Sequence, residues 1–189
     1  MTLKIYNQYA KYGIDGYYKE FAEEYYNPHA DKITDLYNRY LKDDINDVLL
    51  NGKNILDIAC GDGLMNRIIL AGMNDDKGVV AAKQIIGCDP YFENKYVNYS
   101  YSFEDIAMGL VDSNTEEKKY TVGICCYAFH LLDKSWYYNF FNELAEIITE
   151  RFIIITPSKK IVIEHPLWNV EKNIRDIKTK ISLIILRRI

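Results

Sequence analysis

Residues 55 to 63 read Ile55-Leu56-Asp57-Ile58-Ala59-Cys60-Gly61-Asp62-Gly63, and Leu64, Met65, Ile68 and Ile69 follow at helical spacing. An apolar run carrying one acid, then a turn with glycines, then an amphipathic segment describes strand, tight turn and helix. Gly61 and Gly63 permit positive φ and let a ligand approach the backbone closely. The helix that follows turns unpaired N–H groups toward the same place. Such a unit holds an adenosine-type ligand at the carboxyl edge of a parallel sheet. Asp57 then faces a polar or cationic group of that ligand.

A second acid closes a second apolar run, Ile85-Ile86-Gly87-Cys88-Asp89-Pro90. A carboxylate there accepts from both hydroxyls of a ribose; the plain alternative is a strand-end turn built on Pro90. Ser102-Phe103-Glu104-Asp105 offers a ring that can stack and two acids that can accept from an amine, or that merely favour the start of the next helix. In Cys125-Cys126-Tyr127-Ala128-Phe129-His130-Leu131-Leu132, His130 is a candidate to orient an acceptor or take a proton. The rival reading is a lone structural histidine among apolar neighbours. The N-terminal segment supplies Tyr17 and Tyr18, after Tyr12-Gly13-Ile14-Asp15-Gly16, and His29, after Tyr25-Tyr26-Asn27-Pro28. Aromatic faces attract cations; equally, these rings can form the core and surface of a helical cap.

The elements that must position these residues follow from periodicity. Residues 2–11 and 15–25 read as short helices separated by a glycine turn. Asn27 as N-cap and Pro28 at the first helical position start a long helix to about Leu50. Its apolar stripe is Ile33, Leu36, Tyr37, Tyr40, Leu41, Ile45, Val48 and Leu49. Strands are expected at 54–58, 84–88, 96–102, 120–126, 152–156 and 181–186. Helices are expected at 64–71, 103–110 and from a Ser135 cap to about Thr149, with a further helical turn at 79–83 and a charged loop at 113–119. Continuously apolar strands separated by helices imply a parallel sheet covered on both faces.

The stretch LDIACGDG resembles motif I of the class I S-adenosylmethionine-dependent methyltransferases, with Ala59 in place of the commoner first glycine. The rival dinucleotide fingerprint G-x-G-x-x-G fails at Asn66. The resemblance implies a Rossmann-like α/β fold: a mostly parallel sheet ordered 3-2-1-4-5, with helices on both faces. It also implies an N-terminal helical cap (1–50) that folds as a lid over the core (51–189). S-adenosylmethionine is the implied cofactor, held by Asp57, Ala59, Gly61, Gly63, Asp89, Pro90 and Cys126. Glu104 or Asp105 would meet the adenine amine and Phe103 would pack on its ring. The loop bearing His130 would border cofactor and acceptor, with His130 and His29 as candidate bases and Tyr17 or Tyr18 as orienting groups. Residues 12–160 are also similar to a subgroup of small microbial methyltransferases. That subgroup shares the YG-x-x-G-Y-Y start, the NPH, DPY and SFEDI segments, the HLL loop and TP-x-K-K. Ser158 departs from it, standing where a larger polar ring residue is expected. The region after Pro157 is short for two closing strands and is expected to be abbreviated.

Composition limits what else the chain can be. Its 189 residues, 49% of them hydrophobic, suit one α/β domain with an N-terminal extension. No apolar run approaches the roughly 20 residues needed to span a bilayer, and the start lacks a signal-peptide core, so an intracellular, cytoplasmic setting is expected. Cys60, Cys88, Cys125 and Cys126 form no C-x-x-C pair, and they read as small buried residues rather than as zinc ligands. The net charge of −4 argues against nonspecific nucleic-acid binding. A basic tail with Lys172, Arg175, Lys178, Lys180, Arg187 and Arg188 keeps RNA open as a partner. No Asn-Pro-Pro-Tyr-type or Asp-Pro-Pro-Tyr-type signature follows strand 4. The function classes are therefore an enzyme methylating a small molecule or a side chain, an RNA methyltransferase, and a catalytically silent binding protein.

Overall fold

The computed structural model describes residues 2–21, 26–73, 75–111, 120–158 and 161–189. A six-stranded sheet runs in the order β2-β1-β3-β4-β6-β5. Its strands are β1 (Ile55–Ile58), β2 (Ile85–Cys88), β3 (Tyr120–Cys126), β4 (Ile148–Thr156), β5 (Trp168–Arg175) and β6 (Ser182–Arg188). The pairs β1–β2, β1–β3 and β3–β4 are parallel; β4–β6 and β5–β6 are antiparallel.

Alternation along each strand divides the core into two layers, because successive side chains point to opposite faces. Leu56, Ile58, Cys125, Phe152 and Ile154 face one way, against α6 (Phe103–Ala107) and α7 (Tyr137–Ile147), where Phe129, Phe140, Phe141 and Leu144 fill the space. Ile55, Val122, Ile124, Ile153 and Ile155 face the other way. They meet α2 (Ala30–Tyr40), α3 (Lys42–Leu50), α4 (Leu64–Ala71) and α5 (Asp75–Ala82). Burial on both faces is why these strands carry no polar alternation. Asp57 shares the parity of Ile55, so it points toward α4.

Several elements differ from expectation. The helix expected up to Leu50 is broken at Leu41 (φ −126°, ψ −25°) into α2 and α3. Leu41 nonetheless stays buried, so the bend keeps the apolar stripe on the core. Asn27 is not the N-cap: α2 begins at Ala30 with His29 as cap residue, and the Asn27 side chain accepts from the His29 N–H at 2.9 Å. The first two expected helices form α1 (Thr2–Phe21), kinked at Gly13 (φ 72°). Residues 22–25 and the expected loop at 113–119 lie outside the described residues.

The expected strand at 96–102 reduces to one bridge, Cys88 with Tyr99. There the Asn98 side chain takes the Gly87 N–H at 2.8 Å, replacing a ladder bond with a side-chain one. Ser135 does not cap a helix. Asp133 accepts from the Ser135 N–H, a 3₁₀ turn covers Lys134–Trp136, and α7 ends at Ile147 where β4 begins at once.

The C-terminal region is not abbreviated, since both closing strands are present. β5 was hidden because Asn169, Glu171, Lys172 and Asn173 are exposed on an edge strand with little apolar pattern. The basic residues there belong to this hairpin rather than to a tail. Arg187 and Arg151 both bind Glu171, and Arg175 donates to Pro157 O and Ser182 Oγ. Arg39 of α2 reaches the buried Asp176 in the β5–β6 turn at 2.6 Å, mooring the N-terminal helices to the far end of the sheet.

Candidate functional site

The turn after β1 is left-handed at three points: Ala59 (φ 54°), Gly61 (φ 55°) and Gly63 (φ 78°). At Gly63, which opens α4, a Cβ would lie 2.1 Å from the Tyr96 ring, so conformation and space both require glycine. Gly61 is clamped at both ends. Its N–H donates to Asp89 Oδ2 at 2.9 Å and its carbonyl accepts from Asn94 Nδ2 at 3.0 Å. The ligand cradle is thus backbone held in shape by side chains from the β2 end.

Asp57 is 1% exposed. Its Oδ2 accepts from Asn66 Nδ2 at 3.2 Å, while Oδ1 is buried without a hydrogen-bond partner. Burial pushes this carboxyl up to about 8; the Asn66 amide opposes the shift, and nearby Asp89 and Asp62 add to it. An unpaired buried acceptor costs free energy until a donor reaches it, and the cavity is where one can. Asn66 escaped sequence reading, although the signal was available: it is the lone amide on the core-facing side of an otherwise apolar helix.

Asp89 receives three backbone amides: Gly61 on Oδ2, and Tyr91 (2.9 Å) and Phe92 (3.3 Å) on Oδ1. The three amides fix the carboxylate in place at the cavity. Burial raises the Asp89 carboxyl, and these amides counter it.

Asp57 and Asp89 line one shared cavity at the carboxyl edge of the sheet, together with Ala59, Gly61, Pro90 and Cys126. Phe103 and Glu104 form another part of its wall. Asp105 does not line it: its carboxylate accepts from the Ser102 N–H at 2.8 Å while Ser102 Oγ accepts from the Asp105 N–H, a reciprocal capping box for α6. Between the two acids weighed for the amine, Glu104 is the one on the cavity. Gly63 shapes the cradle from just outside the lining.

The remaining candidates separate. Tyr18 lines the cavity and stacks on Tyr91 (centroids 5.3 Å apart, planes 15° apart), laying α1 over the β2 end. Tyr17 packs against Tyr9, Tyr18 and Phe21 within the cap and is not in the wall. His130 is exposed on the 3₁₀ turn Phe129–Leu131 and is outside the wall. His29 also lies outside the wall, but its ring packs on Tyr127 at 5.4 Å. Burial, then Lys32, lowers its pKa, which favours the neutral ring at pH 7. Sequence reading missed Asn27, Tyr91, Phe92, Tyr101 and Tyr127 as cavity residues. Tyr127 at least had a signal, since it follows directly on an apolar strand. All four thiols are free, and burial raises each of them well away from thiolate.

No protein-family model matches the sequence, and no curated protein matches it. Solved structures do. The 16S rRNA methyltransferase RmtF, in complex with S-adenosyl-L-homocysteine, superposes with a TM-score of 0.51 at 13% identity, over 86% of this chain and 63% of that one. DhpI, in its SAH complex, gives 0.50 at 13% identity, over 92% and 76%. The chain thus spans a little under two thirds of RmtF. Magnesium protoporphyrin IX methyltransferase from Synechocystis PCC 6803, with bound SAM, gives 0.49 at 11% identity, over 99% and 96%. The chain has the Rossmann-like fold of the class I methyltransferases: a mostly parallel sheet with helices on both faces and an N-terminal helical segment. Among the described residues, no helix is long and apolar enough to cross a membrane.

Proposed function

We propose that the chain is an S-adenosylmethionine-dependent methyltransferase acting on a small molecule or a side chain. The observation that carries this reading is the buried, unpartnered Asp57 Oδ1 facing a cavity floored by a left-handed glycine turn. Asp57 accepts from the ligand's ammonium group, Asp89 from the ribose hydroxyls, and Glu104 from the adenine amine, with Phe103 against the ring. Asn66 fixes the Asp57 rotamer from behind. S-adenosylmethionine, when bound, supplies a methyl group already activated on a sulfonium. The protein therefore has to align the acceptor and exclude water. Tyr18, stacked on Tyr91, covers the cavity from the cap side. His29, whose ring packs on the cavity residue Tyr127, is the better placed of the two histidines to take an acceptor proton.

Calorimetry tests this reading. S-adenosylmethionine and S-adenosylhomocysteine should bind, and NADH should not. Absence of binding by either sulfur ligand rejects the reading. Tight binding with no methyl transfer to any of a broad set of acceptors would favour a silent binding protein instead.

A further inference from the structure

We propose that Asn27 and Tyr127 select the acceptor, and that they select an uncharged or cationic small molecule bearing a hydrogen-bond-accepting oxygen or nitrogen rather than a polyanion. This rests on the methyltransferase reading above.

Asn27 is 5% exposed and lines the cavity. Its Oδ1 is committed to the His29 N–H at 2.9 Å, and this fixes which end of the amide is which. The Nδ2 donor is left at the other end, without a partner among the described residues. Asn27 lines the cavity, so this donor is available to a ligand that enters it.

Tyr127 stands across from the glycine turn, at the end of β3. Its backbone is left-handed (φ 61°), a conformation uncommon for a bulky residue. Its N–H holds Ile155 O at 2.7 Å and its ring rests on His29. Strain of this kind persists where the surroundings enforce it, and it is concentrated at functional sites. Burial raises the Tyr127 phenol, so it is a neutral hydroxyl at pH 7. It too has no hydrogen-bond partner among the described residues. The β3 side of the cavity therefore offers two neutral groups able to donate, brought together from positions 27 and 127.

Charge narrows the ligand further. Among the described residues the cavity wall carries Asp57, Asp62, Asp89 and Glu104 and no lysine or arginine. Arg67, in the helix after the glycine turn, is paired with Asp62 at 2.7 Å. A phosphodiester or other polyanion would enter a wall with Asp89 and Glu104 and, among the described residues, no lysine or arginine to receive it. A phenol, amide, alcohol or amine needs no such cation, and the wall aromatics favour flat or cationic groups.

The test uses the whole chain loaded with S-adenosylhomocysteine and ligand-observed NMR against three probe sets. These are phenols and amides, aliphatic amines, and phosphates with a short RNA hairpin. Affinity for S-adenosylhomocysteine is measured first by calorimetry; its absence would sink the methyltransferase reading rather than this one. The expected result is binding from the phenol–amide set and none from the phosphates or RNA; binding by the aliphatic amines alone, which as ammonium ions offer no acceptor, counts against the proposal. Asn27→Asp keeps the acceptor for His29 N–H but exchanges the free donor for an acceptor. It should weaken binding of phenols and amides by tenfold or more. Tyr127→Phe keeps the ring and removes only the hydroxyl, and should cost roughly five- to tenfold. Both variants should keep the wild-type affinity for S-adenosylhomocysteine and the wild-type melting temperature. Binding by the anionic set alone, no binding by any probe, or equal binding to wild type and both variants would each overturn the proposal.

Discussion

On the β1–β2 side of the cavity the polar groups are tied to one another. Asp89 collects three amides, Gly61 is bonded through both its N–H and its carbonyl, and Asp57 leans on Asn66. On the β3 side, Asn27 and Tyr127 are anchored at one end only, by a turn and by a strained backbone. The first wall is prearranged by bonds that exist without a ligand, with the buried acceptor Asp57 Oδ1 left open. The second presents two neutral donors with no partner among the described residues. The difference suits a protein that holds one constant ligand and one that sets its specificity. It also states where substitutions should hurt the fold and where they should change selectivity alone.

The largest effect should come from Gly63→Ala on the prearranged wall. A left-handed non-glycine residue costs roughly 1–2 kcal/mol, and the added Cβ overlaps the Tyr96 ring, which adds about 1–3 kcal/mol of overpacking. Urea denaturation should show a loss of about 2–5 kcal/mol together with lost S-adenosylmethionine binding. A variant of wild-type stability would mean that the turn is soft and that the contrast between the two walls is false.

Asp57→Asn comes next, and pH sharpens it. The folded carboxyl sits at about 8, against about 3.9 unfolded. Between those values the native state holds a proton that the unfolded chain has released. Stability is thus fully present below pH 4 and falls as pH rises through 8. The asparagine variant should lack this decline, so its urea midpoint should exceed wild type at pH 8.5 and approach it at pH 4. Its affinity for S-adenosylmethionine should nevertheless drop by about 1–3 kcal/mol, because the ammonium loses a charged acceptor. Wild-type binding at pH 7 should release a proton, visible as a buffer-dependent enthalpy. No buffer dependence would place the ammonium elsewhere.

The same contrast explains what could be read before any coordinates. The prearranged wall joins short sequence distances, Asp57 to Asn66 and Asp89 to Phe92, to a long-range clamp in which Asp89 and Asn94 hold Gly61. Strand parity and glycine spacing expose its two acids and its glycines, but not the partners Asn66, Tyr91, Phe92 and Asn94 that hold them. The closing hairpin and the second wall were less legible. β5 is an edge strand whose exposed face carries charge, so it lacks the apolar run that marks β1 or β4. Asn27 reads as a helix cap, and only tertiary packing turns its amide into the cavity. The sequence also placed His130 beside its apolar neighbours correctly as a loop, but periodicity carries no information about which way a 3₁₀ turn points its side chains.

Tyr18→Ala probes the cover that joins the two walls. Its stack on Tyr91 is worth about 0.5–1.5 kcal/mol by the usual scale of aromatic pairs. Loss of that contact should loosen α1 without touching the sheet. Limited proteolysis near the Gly13 kink should therefore accelerate severalfold, while the urea midpoint of the core stays put. Unchanged cleavage would mean that α1 is held by its other contacts and that the stack is incidental.

The smallest effect is expected at His130. Its side chain is exposed and belongs to neither wall, so His130→Ala should leave S-adenosylmethionine affinity and methyl transfer within about twofold of wild type, as for most surface substitutions. His29→Ala is the control that gives this null result meaning. It removes the ring that supports Tyr127 and should lower transfer to a protonated acceptor most strongly, with little change in cofactor affinity. A pH–rate profile distinguishes support from proton transfer. If His29 only props Tyr127, the rate falls equally at every pH; if it accepts the proton, the acid limb of the wild-type profile, where His29 becomes protonated, disappears with it. Should His130→Ala instead lose transfer tenfold or more at constant affinity, residues 128–132 must swing the imidazole into the cavity. The β3 wall would then be completed only when the acceptor arrives.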